Sequence, residues 1–147
     1  MLKGEFMAFD NYFKLEFEAK KVNESFARNT VAMFCTSLKP TLSEVNDIKT
    51  AVSEAVTNSI VHGYENKGGT IVLEVGIESN TVDIKITDLG IGISDIDMAI
   101  QPFFTTKTEE EHSGMGFTLM DSFMNFLEVK QNKPSGLMVH MKKVIKG

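Results

Sequence analysis

Residues 71–92 read Ile71-Val-Leu-Glu-Val-Gly-Ile-Glu-Ser-Asn-Thr-Val-Asp-Ile-Lys-Ile-Thr-Asp-Leu-Gly-Ile-Gly92, and their periodicity decides the fold. Ile71, Leu73, Val75 and Ile77 alternate with Val72, Glu74, Gly76 and Glu78, a repeat of two that suits a strand with one buried face. After Ser79-Asn80, the residues Val82, Ile84 and Ile86 resume the alternation against Asp83, Lys85 and Thr87. Two such runs joined by a short polar turn predict an antiparallel hairpin. The second strand runs into Asp88-Leu-Gly-Ile-Gly92, where two glycines end the regular pattern.

Upstream, Tyr12 to Glu18 alternates Phe13, Leu15 and Phe17 with charged residues, predicting another half-buried strand. From Asn23 to Leu38, Phe26, Thr30, Met33, Phe34 and Leu38 recur at helical spacing, and Pro40 closes the segment. Thr41-Leu-Ser-Glu44 is a capping box, in which each end residue satisfies a free amide of the other. It opens a second helix with Val45, Ile48, Val52, Ala55, Ser59 and Ile60 as its apolar stripe, ended by Gly63 and the Gly68-Gly69 pair.

Downstream, residues 93–114 have little regular pattern beyond a weak helical stretch near Asp95 to Ile100, and a loop this long is usually functional. Helical spacing returns from Gly116 to Leu127 through Phe117, Met120 and Met124. Two closing strands come next, near Leu127–Gln131 and Leu137–Val144, around a Lys133-Pro-Ser-Gly136 turn. The order β-α-α-β-β-loop-α-β-β predicts an α+β, two-layer α/β sandwich, with a mostly antiparallel sheet covered by helices on one face.

The chain has 147 residues and a net charge of −5, which suits a single domain over residues 1–147. The acidic balance argues against direct nucleic-acid binding, which depends on clustered Lys and Arg. The five Lys found from Glu128 onward are read as the solvated face of a closing strand. Cys35 is the only cysteine, no apolar run approaches the ~20 residues of a membrane span, and no signal peptide is evident. The expectation is a soluble cytoplasmic protein with no membrane partner. All basic residues but one are Lys, and the exception is Arg28.

Three segments carry candidate chemistry, each of them weak alone. Glu54 and Asn58 are four apart, so they share one helix face. In isolation they would suit a solvated surface, whereas beside a ligand they offer a proton acceptor and a hard-cation ligand. Asp88, followed by Gly90 and Gly92, offers an acceptor for an exocyclic amine in a backbone that a ligand can approach closely. Ser113-Gly114-Met115-Gly116 lies ahead of a helix, where free amides and the helix dipole favour an anion.

In this order, Glu54-x-x-x-Asn58, Asp88-x-Gly90-x-Gly92 and Gly114-x-Gly116 resemble the Bergerat-type ATP-binding fold shared by gyrase, the chaperone Hsp90, histidine kinases and MutL. No P-loop is present. The wording around these boxes narrows the resemblance: Asn23-Glu-Ser-Phe-Ala-Arg28, Ser53-Glu-Ala-Val-Thr-Asn58, His62-Gly-Tyr64, Gln101-Pro-Phe-Phe-Thr-Thr-Lys107 and Ser113-Gly-Met-Gly-Phe117. These are similar to the anti-sigma-F factors, serine kinases and sigma-factor antagonists of endospore-forming bacteria.

The resemblance implies ATP/ADP and Mg2+ as cofactors, with Glu54 as general base toward a protein serine and Asn58 as the Mg2+ ligand. It implies that Asp88 reads the adenine amine with room given by Gly90 and Gly92. Ser113, Gly114, Met115 and Gly116 would face the phosphates, under a closing loop that carries Thr105, Thr106 and Lys107. The implied partners are sigma factor F, an anti-anti-sigma factor as phosphorylation substrate, and a second copy in a homodimer. Arg28 falls where these relatives meet both regulatory proteins, a role suited to its rigid planar fork.

Two departures stand out. His112 replaces the Arg that commonly precedes Ser-Gly-Met-Gly, and an imidazole with a pKa near ~6.5 is mostly neutral at pH 7. His112→Arg is therefore expected to raise the phosphoryl-transfer rate at about pH 8 more than at about pH 6, and equal rates for both proteins at both pH values would contradict this. The late-strand Gly-Thr-Thr that supports the family's adenine pocket reads Gly136-Leu137-Met138 here, so the bonding around Asp88 must be completed otherwise. Among other classes, a nucleotide-binding module without transfer could dispense with Glu54, which is present. A stress-type anti-sigma-B kinase fits the Ser-Gly-Met-Gly-Phe and His-Gly-Tyr wording less well, and a histidine kinase would need dimerisation helices for which 147 residues leave no room.

Overall fold

The structure is a computed structural model that describes residues 9–92 and 116–147. Its elements are β1 (Asn11–Glu18), α1 (Val22–Phe34), α2 (Leu42–Asn58), β2 (Thr70–Glu78), β3 (Thr81–Asp88), α3 (Gly116–Phe123), β4 (Phe126–Gln131) and β5 (Leu137–Val144). A 3-10 turn, Cys35–Leu38, extends α1, and a π turn, Ser59–Gly63, extends α2. The five strands form one antiparallel sheet in the order β1-β2-β3-β5-β4. This is the α+β architecture expected from the alternating pattern.

The central hairpin pairs Ile71 with Asp88 and Ile77 with Val82. That register places Ile71, Leu73, Val75, Val82, Ile84 and Ile86 on one buried face. The helices cover this face, with α2 lying between α1 and α3. Thr41 and Glu44 form the predicted capping box, with Glu44 N–H donating to Thr41 Oγ1 at 3.1 Å and Thr41 N–H to Glu44 Oε1 at 2.9 Å. None of the helices in the described residues is long and apolar enough to cross a membrane.

The buried face of α1 differs from the expected stripe. Ala27, Val31 and Cys35 are fully buried, whereas Phe26 and Met33 are exposed, Met33 by 74%. Side-chain bulk marks the wrong face, because the face turned to the core holds the smaller residues Ala27, Val31 and Cys35. Phe34 and Leu38 do pack against the core. α3 also ends earlier than expected, at Phe123, since Phe126 already pairs with Lys142 as the start of β4.

The closing strand is not simply solvated. Lys143 turns to the helix side, donating to Asp47 Oδ2 at 3.0 Å and to the Phe123 carbonyl at 2.8 Å. His140 is likewise largely covered: its Nε2 lies 2.8 Å from Asp83 Oδ1, and its ring meets Phe126 edge-on.

Candidate nucleotide site

The site is built where α2 ends beside the last residue of β3. Glu54 is only 8% exposed, although a lone Glu on a helix would ordinarily face water. A Cβ placed on Gly116 would lie 3.4 Å from Glu54 Oε1, so the carboxylate looks onto the first residue of α3. Asn58 sits one turn later, half-buried at the last position of α2. Tyr64 N–H then donates to the Ser59 carbonyl at 2.9 Å, the five-residue spacing of a π turn. Single π turns of this kind recur at functional sites because the extra residue re-aims the side chains beyond it.

Here that turn directs Ser59 and Gly63 onto Asp88. The Asp88 carboxylate is 2% exposed, at the sheet end nearest α2. Its Oδ2 accepts from Ser59 Oγ at 2.7 Å, and its Oδ1 accepts from Gly90 N–H at 2.9 Å and from Leu137 N–H at 3.3 Å. A Cβ on Gly63 would lie 3.1 Å from Asp88 Oδ2, so the bare Gly63 backbone forms a wall over the carboxylate. Burial pushes the Asp88 carboxyl above the ordinary aspartate range, and the bonds from Ser59, Gly90 and Leu137 pull against that rise.

Backbone closeness around Asp88 explains the glycines. The Gly63 carbonyl accepts from Ile91 N–H at 2.9 Å, and a Cβ on Gly90 would fall 2.1 Å from that carbonyl oxygen. Gly136 takes a φ of +103°, and a Cβ there would fall 2.0 Å from the Asp88 carbonyl oxygen. Tyr64 braces the same loop, its hydroxyl donating to the Thr70 carbonyl at 2.6 Å and accepting from Leu89 N–H at 2.7 Å. Gly90→Ala should therefore force these backbones apart. We expect a loss of about 1–3 kcal/mol in chemical denaturation together with weaker nucleotide binding, and a variant of wild-type stability would contradict the close approach.

Of the residues singled out from sequence, Glu54, Asn58, Asp88, Gly90 and Gly116 gather around the α2–β3 junction. Gly92 lies just beyond, facing the Gln131 side chain. Thr105, Thr106, Lys107, His112, Ser113, Gly114 and Met115 lie outside the described residues. Arg28 is elsewhere, at the seam of α1 and α2. Its Nη1 pairs with Glu24 Oε2 and lies 3.5 Å from Ser53 Oγ, while Ser53 Oγ also donates to Glu24 Oε2. Arg28 thus has an ion pair one turn away and a link to the residue preceding Glu54.

Sequence reasoning misses Ser59, Tyr64 and Asn132 as parts of the site. Spacing assigns Ser59 to the apolar stripe of α2, yet a hydroxyl inside such a stripe must find an acceptor, and that is the available signal. Asn132 Nδ2 donates to the Asp88 carbonyl at 3.2 Å, a contact for which the sequence carries no cue.

Comparison with known proteins places this geometry. A family model described as a histidine kinase-like ATPase domain matches residues 17–143. The chain is 54% identical over 136 residues to an anti-sigma F factor of Clostridium kluyveri, covering 92% of this chain and 96% of that protein. It is 52% identical over 139 residues to an anti-sigma F factor of Thermoanaerobacter, covering 95% and 97%. Among solved structures, the RsbU and RsbW domains of a Mycobacterium tuberculosis protein share the fold with a TM-score of 0.65 at 14% identity. That match covers 92% of this chain but only 32% of the longer mycobacterial one. With a buried glutamate, a buried aspartate and tight glycines arranged on an ATPase-type domain, and with more than half of the aligned residues identical to those of these relatives, the chain belongs to the anti-sigma F factor family.

Proposed function

We propose that this protein binds and inhibits sporulation sigma factor F, and that it uses Mg-ATP to phosphorylate a serine on its anti-anti-sigma antagonist, thereby releasing itself from that antagonist. The single observation that carries the enzymatic part is the burial of Glu54 against Gly116, at the mouth of α3. A carboxylate costs free energy when buried, so its retention beside a helix start argues for use rather than packing.

In this reading Asp88 accepts a hydrogen bond from the adenine amine, while the wall formed by Gly63 and Gly90 holds the base edge. Glu54 accepts the proton of the substrate serine as its oxygen attacks the terminal phosphorus, and the bond to the ADP oxygen breaks. Gly116, with Gly114 and Ser113 before it, supplies amides to the phosphates. Asn58 would hold Mg2+, which supplies charge neutralisation between the phosphates. Among the described residues, no group of three or more His, Cys, Asp or Glu could hold a metal. Mg2+ held through the side-chain oxygen of Asn58 would need no such group, because Mg2+ generally keeps several of its waters.

The protein is further proposed to act in the cytoplasm as a homodimer. Val22, Phe26 and Met33 leave an exposed apolar side on α1, which a second copy could cover. Arg28 is assigned to the surface shared by sigma factor F and the anti-anti-sigma protein. Arg28→Ala and Arg28→Lys are expected to weaken both complexes about tenfold or more with nucleotide affinity retained. Undiminished capture of both partners by these variants would remove Arg28 from the interface. The sigma-binding part is tested by size-exclusion co-elution with purified sigma factor F in ADP and in ATP. Co-elution in at least one nucleotide is expected, and separate elution in both would contradict the proposal.

A further inference from the structure

At the start of β5 the residue beside Asp88 is the apolar Leu137. Leu137 still donates its backbone N–H to Asp88, but its side chain has no polar atom. The β3–β5 register runs Ile86 to Val139 and Thr87 to Met138, so Leu137 is the next cross-strand neighbour, beside Asp88 itself. The hydroxyl that does reach Asp88 comes from the other side, from Ser59 in the π turn.

We propose that Ser59 is the positioning residue that sets adenine recognition in this protein, through a hydroxyl delivered to Asp88 from the π turn. An ionised carboxylate offers about four acceptor directions. Among the described residues, Gly90 and Leu137 take two on Oδ1, and Ser59 takes one on Oδ2. The remaining direction on Oδ2 is the one left for an exocyclic amine, and the Ser59 bond fixes the plane in which it points. Ser59 itself is only 3% exposed, with its carbonyl held by Tyr64 N–H, so its hydroxyl has little freedom to turn elsewhere. Ser59 acts through Asp88 rather than on the nucleotide. The inference rests on the reading of Asp88 as the adenine acceptor.

The test uses the full chain and measures affinities for Mg-ADP and Mg-IDP, since inosine lacks the exocyclic amine. Ser59→Ala should weaken ADP binding about five- to tenfold while changing IDP binding less than about twofold, the size of one ordinary net hydrogen bond acting through Asp88. In the double variant Ser59→Ala/Leu137→Thr, a hydroxyl returns across the strand pair, and the ADP-over-IDP preference should recover by at least half on a logarithmic scale. An unchanged preference in Ser59→Ala, ADP and IDP affinities that fall together, or a double variant that keeps the reduced preference would each overturn the inference. Asp88→Asn run alongside separates the two layers. If Asp88→Asn keeps the wild-type preference, the reading of Asp88 itself fails. If Asp88→Asn loses the preference and Ser59→Ala keeps it, only the role of Ser59 fails.

Discussion

Asp88→Asn is expected to weaken adenine-nucleotide binding by about a hundredfold or more while making the nucleotide-free protein more stable. The two effects share one cause. Asp88 is 2% exposed, and its ionised form is held out of water by the sheet end, Gly63 and the Gly90 loop. An asparagine can keep the bonds from Gly90 and Leu137 on its oxygen, and the Ser59 oxygen, where it stands, can accept from its amide. It cannot accept from an adenine amine at the position where its own NH2 points, so two donors would face each other. Removing a buried charge maintained for binding is the usual trade of function for stability, about 0.5–2 kcal/mol at neutral pH.

The pH dependence gives this prediction its sign. Burial raises the Asp88 carboxyl in the folded protein, so over the window above the ordinary aspartate range the folded state keeps a proton that the unfolded chain has lost. Stability therefore falls as pH rises through that window. Below it, wild type and Asp88→Asn should have similar stability, and above it the variant should pull ahead. Denaturation midpoints measured from about pH 3.5 to 7.5 would show the curves separating. A wild type that gains on the variant as pH rises would contradict the assignment of a charge held at a cost.

The second large effect concerns Glu54→Gln, which keeps the shape of the side chain and removes its basicity. Phosphoryl transfer should fall by about 10²–10⁴-fold, with a far smaller change in nucleotide affinity, because the carboxylate faces Gly116 and not Asp88, the proposed adenine acceptor. Single-turnover measurement with saturating Mg-ATP separates the chemical step from binding. A variant that transfers phosphate at close to the wild-type rate would leave Glu54 with a packing role only.

Much of this architecture can be read from the residues. The hairpin of β2 and β3 is legible because its inner residues are β-branched or leucine at strict alternation, and nothing but a buried sheet face rewards that pattern. The start of α2 is legible because Thr41 and Glu44 complete a reciprocal hydrogen-bond pair that depends on local spacing alone. Glu54, Asn58 and Asp88 stand out only as a set in chain order, since each has an ordinary surface or turn explanation by itself. The features that escape the sequence depend on partners far away in the chain. The face of α1 that is buried carries Ala27 and not Phe26, a choice made by the core it meets and not by the bulk of its own side chains. The covering of His140 depends on its cross-strand surroundings, Asp83 on β3 and Phe126 on β4. Ser59 looks like one more small residue in an apolar stripe until the π turn aims it at a carboxylate 29 positions away.

Phosphoryl transfer to a partner protein is tested most plainly by mass spectrometry of the anti-anti-sigma protein after incubation with this chain and Mg-ATP. One phosphate on a single serine of that protein is expected, formed by wild type and lost with Glu54→Gln. Recovery of the partner unmodified after incubation with wild type, or modified equally by wild type and Glu54→Gln, would show that this chain does not act as a kinase through Glu54.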